Sequence, residues 1–299
     1  MAEPKWDDLR VFLAVARTES LSRAGKTLRL DPATVGRRIA RLEASLEATL
    51  FMKSPQGYAL TQAGARLVAR AQVVETAIIN AQEDTSSGAE ALTGQIRIGA
   101  PDGSANYLLP QVCAAICADH PGLEVQIVAL PRVLNLSKRE ADMAITVSAP
   151  TAGRLISQKL SDYHLHLVAS RDYLAKAPPL NGLEDLKNHK IIGYISDLIF
   201  DAELDYLSEI GSPQTSFSSN SVSVQLNWAR MGAGLVIGHD FALPSAPELT
   251  RVLTDEFSLK RSFYLVRHAD DRNISRLRLF AQELGRRVRQ EVARLEGQT

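Results

Sequence analysis

The sequence lacks any apolar run near the roughly 18 residues that a membrane-crossing helix requires, and its opening MAEPKWDDLR lacks the charged-then-apolar layout of a secretory leader. The expected compartment is therefore the cytoplasm, with no membrane partner. Cysteine is scarce, with only Cys113 and Cys117 in 299 residues. That excludes a disulfide framework and predicts reduced thiols, and it leaves the Asn135 and Asn273 sequons without meaning. Also missing are a Gly-x-Ser-x-Gly elbow, a His-Glu-x-x-His helix and a phosphate loop, so neither an enzyme nor any cofactor is expected. His164 and His166 form a close pair on a strand, but two ligands do not make a metal site, so no metal is expected and a solvent-facing position is. Net charge is absent too, because 34 Lys and Arg offset 34 Asp and Glu, and a nucleic-acid partner needs local positive charge.

Local charge is present. Residues 21–53 carry seven bases against three acids, and residues 260–299 carry ten against five, mostly on a C-terminal helical pattern that reads as a solvated face. Hydrophobic residues make up 45% of the chain, enough for more than one core at this length.

The first sixty residues read as short helices. Leu9, Phe12, Leu13 and Ala16 recur on one helical face over about 7–18. Ser20 or Ser22 can cap a second helix through Leu28, and Asp31 with Pro32 supplies a cap oxygen and a pre-set first turn for a third. This is helix-turn-helix spacing. LFMKSPQGYAL, broken by Pro55 and Gly57, predicts a small β-hairpin wing.

Thr61 can cap a long helix to about Ser87, in which Leu67, Ala71, Val74, Ile78, Ala81 and Thr85 form a heptad seam. Such a seam either packs on its own domain or pairs with a second copy, and the loose DTSSGAEALTG that follows favours pairing. From Gly94 the pattern alternates strands with helices. QIRIGA, LEVQIVAL, ADMAITV, HLHLVAS, KIIGYI, GLVIGH and SFYLVRH predict seven strands in largely parallel sheets, divided into two subdomains with a cleft between them. GAGLVIG at 232–238 follows a helix and opens a strand, the reverse of a dinucleotide loop, so Gly232 or Gly234 is read as a helix C-cap.

The order of parts resembles the LysR-type transcriptional regulator family over the whole chain. The resemblance is carried by Ala24, Leu28, Val35, Arg37, Ile39, Leu42, Glu43, Leu46, Leu50, Phe51, Leu60, Thr61, Ala63 and Gly64, and in the second half by GQIRIGA, YLLPQV, READMAI, LVASRDYLAK, LEDLKNHKIIGY and RMGAGLVIG. It implies an N-terminal all-α winged helix-turn-helix with a long linker helix, and a C-terminal α/β two-subdomain effector domain resembling periplasmic binding proteins. The expected domains are 1–60 for DNA binding, 61–93 for linker and dimerisation through Leu67, Ala71, Val74 and Ile78, and 94–299 for effector binding. Within the last, one subdomain is expected at about 94–165 with 266–299 and the other at about 166–265. The implied protein is a homodimer or homotetramer on a dyad-symmetric promoter, responsive to a small-molecule effector, with RNA polymerase as a further candidate partner. Some members sense oxidants through cysteine pairs, so a redox-sensing regulator using Cys113 and Cys117 is an alternative, although thiols one helical turn apart are badly placed to bridge. A small-molecule-binding protein or an enzyme is the alternative of another class, and would lack the basic first sixty residues.

Where the family often opens its recognition helix with Ser-Gln-Ser or Ser-Gln-Pro, this chain reads Asp31, Pro32 and Ala33, so the frequent base-reading glutamine is missing. At 100° per residue, Thr34, Arg37, Arg38 and Arg41 share one side of the third helix, while Val35, Ile39, Leu42 and Leu46 share the other. Thr34, Arg37 and Arg38 are expected against base edges in the major groove, with Arg23, Arg41, Lys53 and Gln56 on the phosphate backbone and Pro32 fixing the helix start. For the effector, the loop GAPDGSAN offers Ser104 and Asp102, the latter suited to a ligand amine or hydroxyl, and Ser148, Tyr194, Ser196 and Asn220 stand at strand ends facing the cleft.

Overall fold

A computed structural model describes residues 4–54, 57–85, 92–129, 136, 140–150, 154–211, 214–269, 271 and 274–298. The chain divides into two compact units, the first spanning Met1–Ala89 with Ser137–Glu140 and Asp270–Ser275, the second made of the remaining residues. No helix among the described residues is long and apolar enough to cross a membrane.

The first unit begins with α1 (Trp6–Thr18), α2 (Leu21–Leu28) and α3 (Pro32–Leu46). Local chemistry sets these boundaries. The Ser20 hydroxyl accepts from the Arg23 N–H, and the Asp31 carboxylate accepts from the Ala33 N–H at 2.8 Å with Pro32 in the first turn. Each helix stops at a left-handed residue, Glu19, Arg29 and Glu47 in turn. Phe12, Leu13, Val15, Ala24, Val35, Ile39, Leu42 and Leu50 meet in one core. Strands β1 (Phe51–Ser54) and β2 (Gly57–Leu60) pair antiparallel as the expected wing. Glu43 holds the wing's entry, since its Oε1 accepts from the N–H groups of Leu50 at 2.7 Å and Phe51 at 3.2 Å. Gly57 is required by its backbone: φ is 133°, and a Cβ there would lie 2.3 Å from the Glu19 carbonyl oxygen.

Helix α4 (Gln62–Thr85) starts where Thr61 Oγ1 accepts from the Gly64 N–H at 3.0 Å. Its first half departs from the expected seam. Ala71 is 1% exposed inside the core of this unit, and Leu67 packs against the same core. Arg17 of α1 adds a two-pronged ion pair to Glu75 of α4. Leu67 and Ala71 therefore hold α4 to its own domain and are withdrawn as dimer contacts. The face left open carries Val73 and Val74, 48% and 41% exposed, with Ala77 and a half-buried Ile78 beside them.

The second unit is built on a sheet of nine described strands. These are β3 (Gly94–Ala100), β4 (Leu123–Ala129), β5 (Met143–Thr146), β6 (Leu155–Ser170), β7 (Ile191–Gly193), β8 (Thr215–Ser218), β9 (Leu235–His239), β10 (Leu249–Val252) and β11 (Leu259–His268). Their spatial order is β4-β3-β5-β11-β6-β9-β7-β8, with β10 on β6. Pairing is parallel on the two flanks, within β4-β3-β5 and β9-β7-β8, and antiparallel in the middle around β6 and β11. The largely parallel expectation holds for the flanks only. One lobe is the β3, β4 and β5 flank with α5 (Asp102–Tyr107) and α6 (Leu109–Asp119). The other is the β7, β8 and β9 flank with α8 (Val222–Arg230), which follows the short α7 (Arg171–Leu174). Strands β6 and β11 run through both lobes, and their register shifts between Phe263 and Tyr264.

Gly232, at φ 76°, turns the end of α8 toward the fully buried β9, as its sequence position implies. Helix α9 (Ser275–Glu296) buries Leu277, Phe280, Leu284, Val288 and Val292, while Arg286 pairs with Glu283 and Arg294 with Glu291 on its surface. That is the solvated basic face expected. His166 corrects the solvent-side reading of the histidine pair: its Nδ1 lies 3.0 Å from both oxygens of buried Asp240, which Arg251 also engages. Cys113 and Cys117 sit one turn apart on α6, and burial pushes the Cys113 thiol up to about 12. A thiol protonated at neutral pH is a poor nucleophile, so Cys113 is set as a packed side chain of α6.

Candidate nucleic-acid interface and ligand cleft

On α3 the apolar residues Val35, Ile39 and Leu42 are buried, and the opposite side is open. Arg37 is exposed, and its Nη2 donates to Thr34 Oγ1 at 3.0 Å, so the two form one short polar surface. Arg38 lies 3.8 Å from the exposed carboxylate of Asp7, a loose pairing that water and salt screen. Pro32 stands exposed in the first turn, and Arg23 and Lys53 are exposed on α2 and β1. Gln56 lies outside the described residues.

Arg41 differs from its expected role. Its Nε donates to Asp8 Oδ2 at 2.7 Å and its Nη2 to Asp8 Oδ1, and Asp8 is buried on α1. The guanidinium is committed to holding α1 against α3, and is not a free phosphate contact. Arg41→Ala is expected to lower the unfolding midpoint of this unit, because an unpaired carboxylate is left in a buried place. Thermal unfolding followed by circular dichroism measures this, and a midpoint equal to that of the parent protein would show that water replaces the arginine at Asp8.

In the second unit the expected ligand residues stand at carboxyl ends of strands, and they divide between one cavity and contacts that join the lobes. Ser104 is 1% exposed, and its hydroxyl turns back to the Pro101 carbonyl at 3.0 Å, so it is corrected to a structural residue. Asp102 is corrected as well. Its Oδ2 accepts from Ser221 Oγ and from the Ser223 N–H, both at 3.1 Å, and its Oδ1 accepts from Asn106 Nδ2 at 3.1 Å. Ser148 donates its hydroxyl to Asp201 of the other lobe. Asn220 immediately precedes Ser221, the N-cap of α8.

Of the six, Tyr194 and Ser196 line a cavity of about 830 Å³ in the β7 lobe that also meets Asp201, Tyr206, Thr215 and Gln225. Behind it, burial pushes the His239 imidazole down to about 3, so it stays neutral, with Nε2 3.4 Å from the phenolic oxygen of Tyr206. Asp201, Tyr206 and Gln225 were not singled out in the sequence. Asp201 had a usable signal, since its Oδ1 accepts from the Glu203 N–H as a short polar residue opening a turn does.

The two units match two described families. Residues 6–65 match "Bacterial regulatory helix-turn-helix protein, lysR family", and residues 89–289 match "LysR substrate binding domain". The chain belongs to the LysR family.

Among curated relatives of this LysR-family chain, the HTH-type transcriptional activator TtdR of Escherichia coli is 28% identical over 266 residues, covering 84% of each chain. The HTH-type transcriptional regulator CrgA of Neisseria meningitidis is 26% identical over 289 residues, covering 93% of this chain and 97% of CrgA. The solved structure of CrgA covers 94% of this chain and 98% of its own, with 24% identity and a TM-score of 0.58. A full-length OxyR variant from Pseudomonas aeruginosa matches with a TM-score of 0.69 at 17% identity, over 96% of this chain and 95% of that one. These two likenesses show the fold. The LysR-type identity makes the chain a DNA-binding transcription regulator with an effector-binding domain, and places α3 in its regulatory helix-turn-helix.

Proposed function

We propose that this regulator reads a dyad-symmetric DNA site as a dimer or tetramer, with Thr34, Arg37 and Arg38 against base edges and Arg23 and Lys53 on phosphates. The observation that carries the assignment is the open face of α3, where Arg37 has no acidic partner among the described residues. Gln56, beside the wing, is assigned to the backbone on sequence alone. The exposed Val73, Val74 and Ala77 face of α4 pairs with its counterpart in a second copy. A small molecule in the cleft of the second unit shifts the population of conformers that hold DNA. The place of action is the cytoplasm, where its DNA partner lies, and no enzymatic step is involved.

Selection of sites from random DNA by the full-length protein tests this reading. The enriched sequences are expected to contain inverted half-sites separated by about one helical turn or a multiple of it, and retention should fall steeply with salt. Enrichment of sequences without symmetry would remove the paired reading, and no enrichment at all would remove the recognition role of α3.

A further inference from the structure

We propose that Asp102 is a tethered anion that occupies the junction between the lobes, so that the effector accepted there is uncharged or cationic and not a carboxylate. The inference rests on the reading that the cleft takes a small molecule, and it names the class of that molecule. Asp102 leaves the end of β3 in one lobe and reaches the N-terminus of α8 in the other, accepting from Ser221 Oγ and the Ser223 N–H. The positive end of a helix and its unpaired N–H groups favour a negative group at this position. Here the protein's own carboxylate supplies it. A second carboxylate strap crosses beside the first, from Ser148 to Asp201.

The cavity lined by Asp201, the acceptor of the second strap, reinforces the assignment. Its charged lining groups are Asp201 and Asp205, and no Lys, Arg or His among the described residues lines it. The hydroxyl of Ser104, which could have received a ligand oxygen, is buried and spent on Pro101. A ligand carboxylate entering this space would meet two like charges and no cation from the described lining, and desolvation would sharpen the repulsion. An amine or a polyol would meet acceptors.

The test uses the full chain and sodium formate as the probe, against sodium chloride at equal ionic strength. Asp102→Ala is expected to lower the unfolding midpoint by about 2–4 °C, the scale of a lost helix cap in a domain of this size. Formate should restore part of that loss in the variant and leave the parent protein unmoved. If the alanine variant does not fold, Asp102→Ser, which also leaves room for formate, repeats the measurement. Equal response of parent and variant to formate, or a variant as stable as the parent, would overturn the role of Asp102 as a filled anion. A panel of small carboxylates, polyols and amines tests the class. A carboxylate that stabilises the parent overturns the exclusion, whether or not it also stabilises the variant. If no panel compound binds and formate still rescues the variant, the ligand-binding reading of the cleft fails while the tethered anion stands.

Discussion

Val74→Asp is expected to reduce the particle mass to that of the single chain and to weaken DNA binding by about 10²–10⁴-fold, the range by which linked binding exceeds single-site binding. The reasoning starts from α4. Its inward face is occupied by Leu67 and Ala71 in the core of the first unit and by the Glu75 pair with Arg17, so α4 is fixed to the helix-turn-helix. Val73, Val74 and Ala77 then remain apolar and open on the far side. A carboxylate at position 74 costs little in a single chain, where water reaches it, and several kcal/mol in a dry helix pair. Folding of each unit is therefore preserved while pairing is lost. Light scattering and a DNA titration measure both effects, and an unchanged mass would place the dimer contact elsewhere.

Arg37→Ala is expected to weaken binding to a selected site by about 1–3 kcal/mol, and to relax preference at the base it meets, because a good bidentate arginine contact to guanine carries that much discrimination. Arg37 is poised for this by an exposed position and by a hydrogen bond from Nη2 to Thr34 Oγ1, which aims the guanidinium along the helix face. Lys53→Ala is the contrast. Lys53 stands exposed on the wing strand, and its loss should weaken all sequences alike while reducing the salt slope by about one ion. Competition titrations at two salt concentrations separate the two. Equal losses on specific and random DNA for Arg37→Ala would assign that arginine to the backbone.

Much of the first unit is legible in the sequence because its signals are local. Ser20, Asp31 and Thr61 cap helices within three residues of themselves, Pro32 pre-sets the first turn after Asp31, and the structure starts α2, α3 and α4 where those residues stand. What is not legible depends on partners far along the chain. Arg41 looks like a free cation on a DNA-facing surface until Asp8, thirty-three residues away, is seen beneath it. The heptad spacing of α4 is real, but apolar residues at that spacing serve a neighbouring helix of the same domain as well as a second copy. Leu67 and Ala71 took the first use, and Val74 is left for the second.

The same division holds in the second unit. Seven strands are readable as apolar runs, whereas β8 (TSFS) and β10 (LTRV) are short and polar, and the first half of β6 (LISQKLSDY) alternates around charged residues. Asp102 is correctly placed at the end of β3. Its partners, Ser221 and Ser223, are more than a hundred residues distant, so a carboxylate that reads as free for a ligand is found already satisfied.

Two continuous strands, and not two loops, carry the chain between the lobes, and this determines how they can move. Strands β6 and β11 are paired from Leu155 with His268 to Leu165 with Leu259, and one residue, Leu160, is left without an opposite number where Phe263 and Tyr264 pass Ser161 and Lys159. A bulge of this kind is where a ribbon bends and its twist increases. The lobes are thus joined by a paired ribbon with one bulge, where bending and twist concentrate, and the contacts of Asp102 and Ser148 across the lobes resist both. In that ribbon Leu160 is the one point where the ladder is already interrupted, so it is the place where a change of angle between the lobes costs the fewest backbone hydrogen bonds.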